Sequence, residues 1–233
     1  MNSFSPCDKC KDSGKPGYLY KEMEGQTVIV ECECHTKWRI REKLKLDAKK
    51  SNLWCSDEFL SYEPRRDYVG QSSRSKVENL YSYIDHCNDP KYMQACLYLW
   101  GPNGTQKTFL AQWLGLQLLK NKKTVQFLLM DKLIKGLSSG FDSDPEIQEF
   151  KQNMLDVDVL ILDESFARDK VTLYKSGYQL PYLDSFLRER CDSAKKGIIF
   201  ISNTNPENIA TEGFGVSIQD FIIRKTKPSN SIF

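Results

Sequence analysis

The chain has two histidines, no apolar run approaching the ~18 residues of a membrane helix, and almost no charge imbalance. Its 33 lysines and arginines face 31 aspartates and glutamates, a formal net charge of +2. Without a long apolar run, no membrane partner is expected. Near neutrality removes the bulk electrostatic signature of a nucleic-acid coat, so contact with nucleic acid has to come from a local patch. The opening MNSFSPCDKC lacks the apolar centre of a secretory signal, and the expected location is the cytoplasm. No internal repeat or low-complexity tract is visible. At 233 residues the chain can bury one substantial core plus a small appendage.

Cysteine, by contrast, is plentiful. Four of the eight crowd into the first 34 residues as Cys7-x-x-Cys10 and Cys32-x-Cys34. Between the pairs, Tyr18-Leu-Tyr20 and Gln26-Thr-Val-Ile-Val30 form an expected two-stranded ribbon. Two short-spaced pairs on facing turns suit a tetrahedral Zn²⁺ site with Zn–S bonds of about 2.3 Å. So small a segment has little apolar core, and the metal would supply its folding free energy. His35, next to Cys34, is the alternative fourth ligand. Cys55, Cys87, Cys96 and Cys191 are scattered through apolar or mixed sequence and are expected as core or incidental thiols. A helix rich in cations follows, from Thr36 to Lys50, as either a solvated linker or a contact for nucleic acid or a partner. The expected layout is a zinc knuckle over 1–36, a basic linker helix over 37–52, and a main domain over 53–233.

The main domain opens its chemistry at Gly101-Pro102-Asn103-Gly104-Thr105-Gln106-Lys107-Thr108. The apolar run Ala95–Trp100 precedes this stretch and a helical pattern from Lys107 to Leu119 follows. A strand that passes through a tight glycine turn into a helix aims several N–H groups and the helix N-terminus at one point, and such a point attracts phosphate. In the pattern G-x-x-x-x-G-K-[ST], Lys107 reaches the β and γ phosphates and the Thr108 hydroxyl holds Mg²⁺. Gln106 stands where the second glycine belongs. With a negative φ the glutamine fits; with a positive φ, nucleotide affinity or turnover suffers.

Two more strand ends converge on that loop. Val157-Asp-Val-Leu-Ile-Leu-Asp163-Glu164 is a buried-strand run ending in adjacent carboxylates. Asp163 is placed to ligate Mg²⁺ directly or through water, and Glu164 to act as general base on an attacking water. Gly197-Ile-Ile-Phe-Ile-Ser-Asn203 ends in a polar side chain at the same sheet edge, where open α/β sheets bind their ligands. Further strands and helices alternate: a helix over 75–87, a strand over Thr124–Met130, a short helix capped by Asp131, a loop from Gly136 to Pro145, and helices over Glu146–Met154 and Gln179–Cys191. The expected fold class is α/β, a parallel sheet with helices on both faces.

GPNGTQKT, LILDES and IIFISNTN, in that order and spacing, resemble the AAA+ ATPases. Joined to a CxxC…CxC head, they resemble the DnaC/DnaI-type replicative helicase loaders, particularly phage-encoded relatives, with the IstB-type transposition helpers as close kin. The resemblance implies a RecA-like P-loop domain that binds ATP or ADP with Mg²⁺ across residues 101–108. It makes Asn203 the sensor of the γ-phosphate. It implies an arginine acting in trans on a neighbouring copy, with Arg224 as the nearest candidate and Arg188 and Arg190 as fallbacks. It places single-stranded DNA near a helical insert carrying Lys132 and Lys135. Its partners are a hexameric DnaB-type helicase, contacted through the zinc head, and further copies of the chain. The sequence stops soon after Arg224, so no C-terminal helical lid is expected, and ATP hydrolysis would be weak until a partner completes the site.

Overall fold

A computed structural model describes residues 4–64, 71–138, 144–174 and 176–226, in two compact units, Met1–Asp47 and Ala48–Phe233. The first is built on β1 (Tyr18–Met23) and β2 (Gln26–Glu31), antiparallel with Met23 opposite Gln26. Only Glu24 and Gly25 separate the strands, and both have positive φ, 53° and 78°. That is the two-residue turn whose twist matches a hairpin. Cys10 and Lys11 donate their N–H groups to the Cys7 carbonyl, forming the knuckle turn before the ribbon. Helix α1 (Glu33–Lys50) starts earlier than expected, so Cys34 and His35 lie in its first turn. It ends at Lys50, beyond which Asn52 takes a left-handed φ of 56°.

In the second unit, β3 (Leu97–Trp100), β4 (Val125–Leu129), β5 (Val159–Asp163) and β6 (Ile198–Ser202) form one parallel sheet in the order β3-β6-β5-β4. Every residue of β5 and β6 is buried, which is why both read as unbroken apolar runs rather than alternating ones. The register sets Trp100 beside Ser202, Leu162 beside Phe200, and Leu129 beside Asp163. The carboxyl ends of all four strands therefore share one edge.

Helix α5 (Lys107–Lys120) carries the chain from β3 across to β4 and is buried on most sides. Gly115 lets it lie close: a Cβ there would come within 2.9 Å of Leu53 and 3.0 Å of Ile161. Helices α2 (Asp57–Ser61), α3 (Gln71–Asp85) and α4 (Pro90–Met93) precede β3. After β4 come α6 (Met130–Ser138) and α7 (Pro145–Asp156), then β5, α8 (Gln179–Arg188), β6 and α9 (Val216–Lys225). The core on one side of the sheet joins Met130, Leu133 and Ile134 of α6 to Leu183 and Phe186 of α8 and Phe221 of α9.

Three expectations need correction. Gly136 belongs to α6, not to a loop, and residues 139–143 of that expected loop lie outside the described residues. Asp131 is not a cap, because the helix already starts at Met130; its carboxylate instead accepts from Lys135 Nζ at 2.6 Å and from the Thr172 N–H at 2.9 Å. The helix expected to run to Cys191 is regular only to Arg188 and then widens into a π turn over Glu189–Ser193. That turn swings Arg190 inward. It is completely buried and donates to the carbonyls of Met154, Leu155, Val157, Asp158 and Gly197 at 2.7–3.2 Å. Burial draws its guanidinium down to about 10. Arg190 ties the entry of β5 to that of β6, so it is excluded from presenting itself to a neighbouring chain.

Candidate functional site

The loop between β3 and α5 closes around Lys107. The Lys107 ammonium donates to the carbonyls of Gly101 and Pro102, at 2.8 and 2.9 Å, and to Thr105 Oγ1 at 3.3 Å. Its residue is 7% exposed, and burial lowers its pKa while Asp163 pulls it back up. Gln106 adopts φ 62° and ψ 20°, the left-handed conformation that the missing glycine would have taken freely. Gln106 holds that conformation at a cost of roughly 1–2 kcal/mol. Its side chain stays exposed and caps nothing.

Asp163 sits at the end of β5 and is 8% exposed. Thr108 Oγ1, in the first turn of α5, donates to Asp163 Oδ2 at 3.0 Å, and the Glu164 N–H donates to Oδ1 at 2.8 Å. Burial pushes the carboxyl above its ordinary range, against the pull of these two donors and Lys107. Glu164 points to solvent from a left-handed φ of 53°, and Phe166 repeats the conformation at 57°. Two such residues so close together are held by hydrogen bonds to the end of β6. The Ser165 N–H donates to Ile201 O at 2.8 Å, the buried Ser202 hydroxyl donates to Ser165 O, and Thr204 Oγ1 donates to Phe166 O at 3.1 Å. The Tyr98 hydroxyl of β3 closes the set on Thr204 O at 3.0 Å. Between Ser202 and Thr204, the Asn203 amide donates to Asn103 Oδ1 at 2.7 Å.

Asn103, Lys107, Thr108, Asp163, Glu164 and Asn203 thus line one cavity of about 340 Å³. A loop and helix N-terminus of this shape can cradle phosphate, and a hydroxyl beside a buried carboxylate can hold a divalent cation. The sequence had not singled out two of the walls. Trp54, 46% exposed, and Phe109 line the cavity and also a neighbouring apolar one of about 550 Å³ with Phe59 and Tyr62. Trp54 meets Phe59 at 5.4 Å and Phe109 at 5.9 Å between ring centroids. The aromatic-rich LWCSDEFLSY was the available signal: exposed rings beside a phosphate loop suit a flat base.

Other candidate residues lie elsewhere. Lys132 and Lys135 are exposed on α6, with Lys135 held by Asp131. Arg188 is committed to Asp184 at 3.1 Å and Ser217 at 3.0 Å. Arg224 is exposed near the end of α9, its guanidinium 5.8 Å from the centre of the Phe221 ring. None of the four lines the cavity.

In the first unit, Cys7, Cys10, Cys32 and Cys34 bring their sulfurs within 4.8 Å of one another. Four of the separations are 3.4–3.8 Å. Thiolates bound tetrahedrally at 2.3 Å stand about 3.8 Å apart, so the donor set fits Zn²⁺. His35 is not part of it. Its Nδ1 is 2.8 Å from Glu31 Oε1 and its ring stacks on Trp38 at 5.6 Å. Gly17 makes room for that ring, since a Cβ there would come within 2.9 Å of it. Cys87, Cys96 and Cys191 are buried core thiols, and none of the eight cysteines forms a disulfide.

A phosphate-type loop entering a helix, an Asp-Glu pair at the carboxyl end of the interior strand β5 and a polar residue just after β6, which lies between β3 and β5, define an AAA+ nucleotide-binding fold. The likeness to solved structures agrees. The DnaC helicase loader superposes with a TM-score of 0.55 at 18% identity, covering 73% of this chain and 96% of that one. DnaI gives 0.53 at 19% identity, covering 69% and 81%. AMPPCP-bound DnaA from Aquifex aeolicus gives 0.51 at 20%, covering 67% of this chain but only 44% of DnaA. At such identities the likeness is one of fold. No curated protein matches the sequence. The family described as IstB-like ATP binding protein matches residues 34–169, more than half of the chain, and the chain belongs to that family. The match takes in residues 101–108, Asp163 and Glu164, and stops before Asn203 and Arg224.

Proposed function

We propose that the chain is an ATP-switched loader that engages a hexameric DnaB-type replicative helicase and helps place it on single-stranded DNA. The observation that carries this is the meeting of Thr108 and Asp163 at 3.0 Å in one cavity with Lys107, Glu164 and Asn203. Residues 101–108 cradle the phosphates of ATP or ADP, with Lys107 turning from its own loop's carbonyls to the β and γ oxygens. Thr108 and Asp163 hold Mg²⁺, whose charge offsets that of the phosphates. Glu164 takes a proton from the attacking water, and Asn203 contacts the terminal phosphate. Trp54 and Phe109 flank the base. Arg224, exposed on α9, is the residue offered to a neighbouring copy, as trans-acting arginines are in related phosphoryl-transfer sites. Lys132 and Lys135 meet the DNA backbone, which makes that contact salt-sensitive.

The four thiols hold Zn²⁺, and the head so formed meets the helicase. The DnaI and DnaC structures, one named as a helicase loader, support the role through fold. We place the protein in the cytoplasm, that of a bacterial host if it is phage-encoded. Among the described residues no helix is long and apolar enough to cross a membrane.

Two rivals each have an observation behind them. The IstB-like family match favours a transposition helper that binds duplex DNA and a transposase. The positive φ of Gln106 favours a non-hydrolysing adaptor. Co-purification of the full chain with the host replicative helicase, with and without Mg·ATP, tests the loader. Association together with hydrolysis stimulated by helicase and single-stranded DNA is the expected result. No association in either condition removes the loader, and association without any hydrolysis leaves the adaptor.

A further inference from the structure

Three side chains proposed to take phosphate or cation are already satisfied by a protein oxygen. Lys107 is held by the carbonyls of Gly101 and Pro102, Thr108 by Asp163, and Asn203 by Asn103. The first two arrangements use backbone or a cation ligand, groups that the site needs in any case. The third does not. Asn103 is an exposed loop residue whose carbonyl oxygen bridges to an element 100 positions away, at 2.7 Å, inside the cavity.

We infer that Asn103 is an internal phosphate surrogate that sets how strongly the site prefers a triphosphate to a diphosphate. The inference rests on the nucleotide reading of this cavity and concerns how the ligand is discriminated. The Asn203 amide hydrogen satisfied by Asn103 Oδ1 is the donor at the end of β6, beyond the loop that cradles the inner phosphates. A diphosphate fills the cradle of N–H groups and Lys107 and leaves the Asn103–Asn203 bond intact. The Asn203 amide has two N–H donors; a terminal phosphoryl group that takes the one held by Asn103 Oδ1 displaces that oxygen, exchanging one hydrogen bond for another. Asn103 therefore weakens triphosphate binding by the strength of a single hydrogen bond and leaves diphosphate binding alone. The net strength of one such bond corresponds to about 2- to 10-fold in affinity.

The bond also gives the phosphate loop a mechanical link to β6. Asn203 lies between Ser202 and Thr204, which hold the backbone of Ser165 and Phe166 next to Glu164. Releasing Asn103 frees the loop from this strand end at the moment a triphosphate arrives.

The test is calorimetric titration of the full chain with Mg·AMP-PNP and Mg·ADP. Asn103→Ala keeps the backbone N–H that residue 103 gives the cradle and removes only its side-chain oxygen, so AMP-PNP is expected to bind about 2- to 10-fold more tightly while ADP changes by less than about twofold. Asn103→Asp puts a carboxylate on the same donor and is expected to weaken AMP-PNP more than ADP. Asn203→Ala removes the donor, so adding Asn103→Ala to it should bring no further gain, a non-additivity that a merely structural loop residue would not show. Circular dichroism checks that each variant is folded. An unchanged or lowered preference for AMP-PNP in Asn103→Ala, or the same gain with Asn203 absent, overturns the inference while leaving the nucleotide site standing. A wild-type chain that binds neither nucleotide removes the nucleotide site itself, and this inference with it.

Discussion

The cysteine head and the nucleotide-type site reach their geometry by opposite routes. Among the described residues of the head, the buried side chains are those of Cys10 and Cys32, two of the proposed metal ligands. The ribbon exposes Tyr20, Met23 and Ile29, and its ring contacts are a small half-buried cluster in which Tyr18 meets His35 at 5.2 Å beside Trp38 and Phe4. The site in the second unit stands on β5 and β6, whose residues are buried throughout. There the apolar sheet fixes the strand ends and the polar groups follow. In the head the polar groups are themselves the core. Stability should therefore depend on one ion in the first region and on packing in the second.

Removing the metal is the strongest way to break that contrast. Binding of structural Zn²⁺ contributes about 10–16 kcal/mol in small metal-folded peptides. A strong chelator, or Cys10→Ser, should release one zinc per chain and leave residues 4–47 open to protease, with the melting of the second unit unchanged. A head that stays protease-resistant after complete chelation would show that the ribbon holds itself.

The corresponding blow to the second unit is Arg190→Met. It removes a buried cation from five carbonyls, of which that of Leu155 also accepts from Lys196 Nζ at 3.2 Å. Loss of one side of such a buried network costs about 3–5 kcal/mol. Thermal melting should fall by many degrees while zinc content stays at one per chain. A small shift would mean that water or a shifted backbone replaces the guanidinium.

Between these extremes lies a substitution that separates function from stability. Asp163→Asn should abolish detectable Mg·ATP binding or lower affinity at least about 100-fold, since it removes the charge from the proposed cation ligand. Its effect on stability should have the other sign. Burial raises the Asp163 pKa, so the folded chain binds this proton more readily than the unfolded chain does. Stability from the group is present below its unfolded pKa and is lost as pH rises through the folded one. Near pH 7 the carboxylate is therefore a liability, and the amide should melt no lower than wild type. That advantage should shrink as both proteins are taken toward pH 4. An asparagine variant that melts lower at pH 7 would show that the bonds from Thr108 and Glu164 outweigh desolvation.

The sheet was legible because its strands announce themselves. Ile198–Ser202 appears where the apolar run places it, and Asp163, Lys107, Thr108 and Asn203 meet because parallel strands bring their carboxyl ends to one edge. The strand ending at Asp163 starts two residues later than its apolar pattern, at Val159, because the carbonyls of Val157 and Asp158 go to Arg190 rather than to a neighbouring strand. Nothing local could have shown this. An arginine in a polar stretch reads as surface, and only the π turn over Glu189–Ser193 directs it inward. Trp54 and Phe109 escaped for a related reason: they lie 55 positions apart in the chain, and one belongs to a helix that reads as apolar on every side. The thiol cluster was legible from spacing alone, because two short-spaced pairs leave few ways to converge.

The finest test concerns the residue whose conformation the sequence left open. Gln106 holds φ 62° at the mouth of α5, where glycine would be unstrained. Gln106→Gly should relieve roughly 1 kcal/mol of left-handed strain, partly offset by the greater freedom of glycine in the unfolded chain. The melting temperature should therefore rise by a few degrees at most, and zinc content should not change. Nucleotide affinity carries more weight. Residue 106 already has the left-handed backbone that suits glycine, so its side chain should act by crowding the phosphate rather than by misdirecting the N–H groups. Removing its side chain should then tighten Mg·ATP and Mg·ADP together, several-fold each, because both place a phosphate against residue 106. Tightening of ATP alone would move the effect to the terminal phosphate and toward Asn103. No change in either would mean that the glutamine side chain lies clear of the ligand, and that any slow turnover has its cause elsewhere.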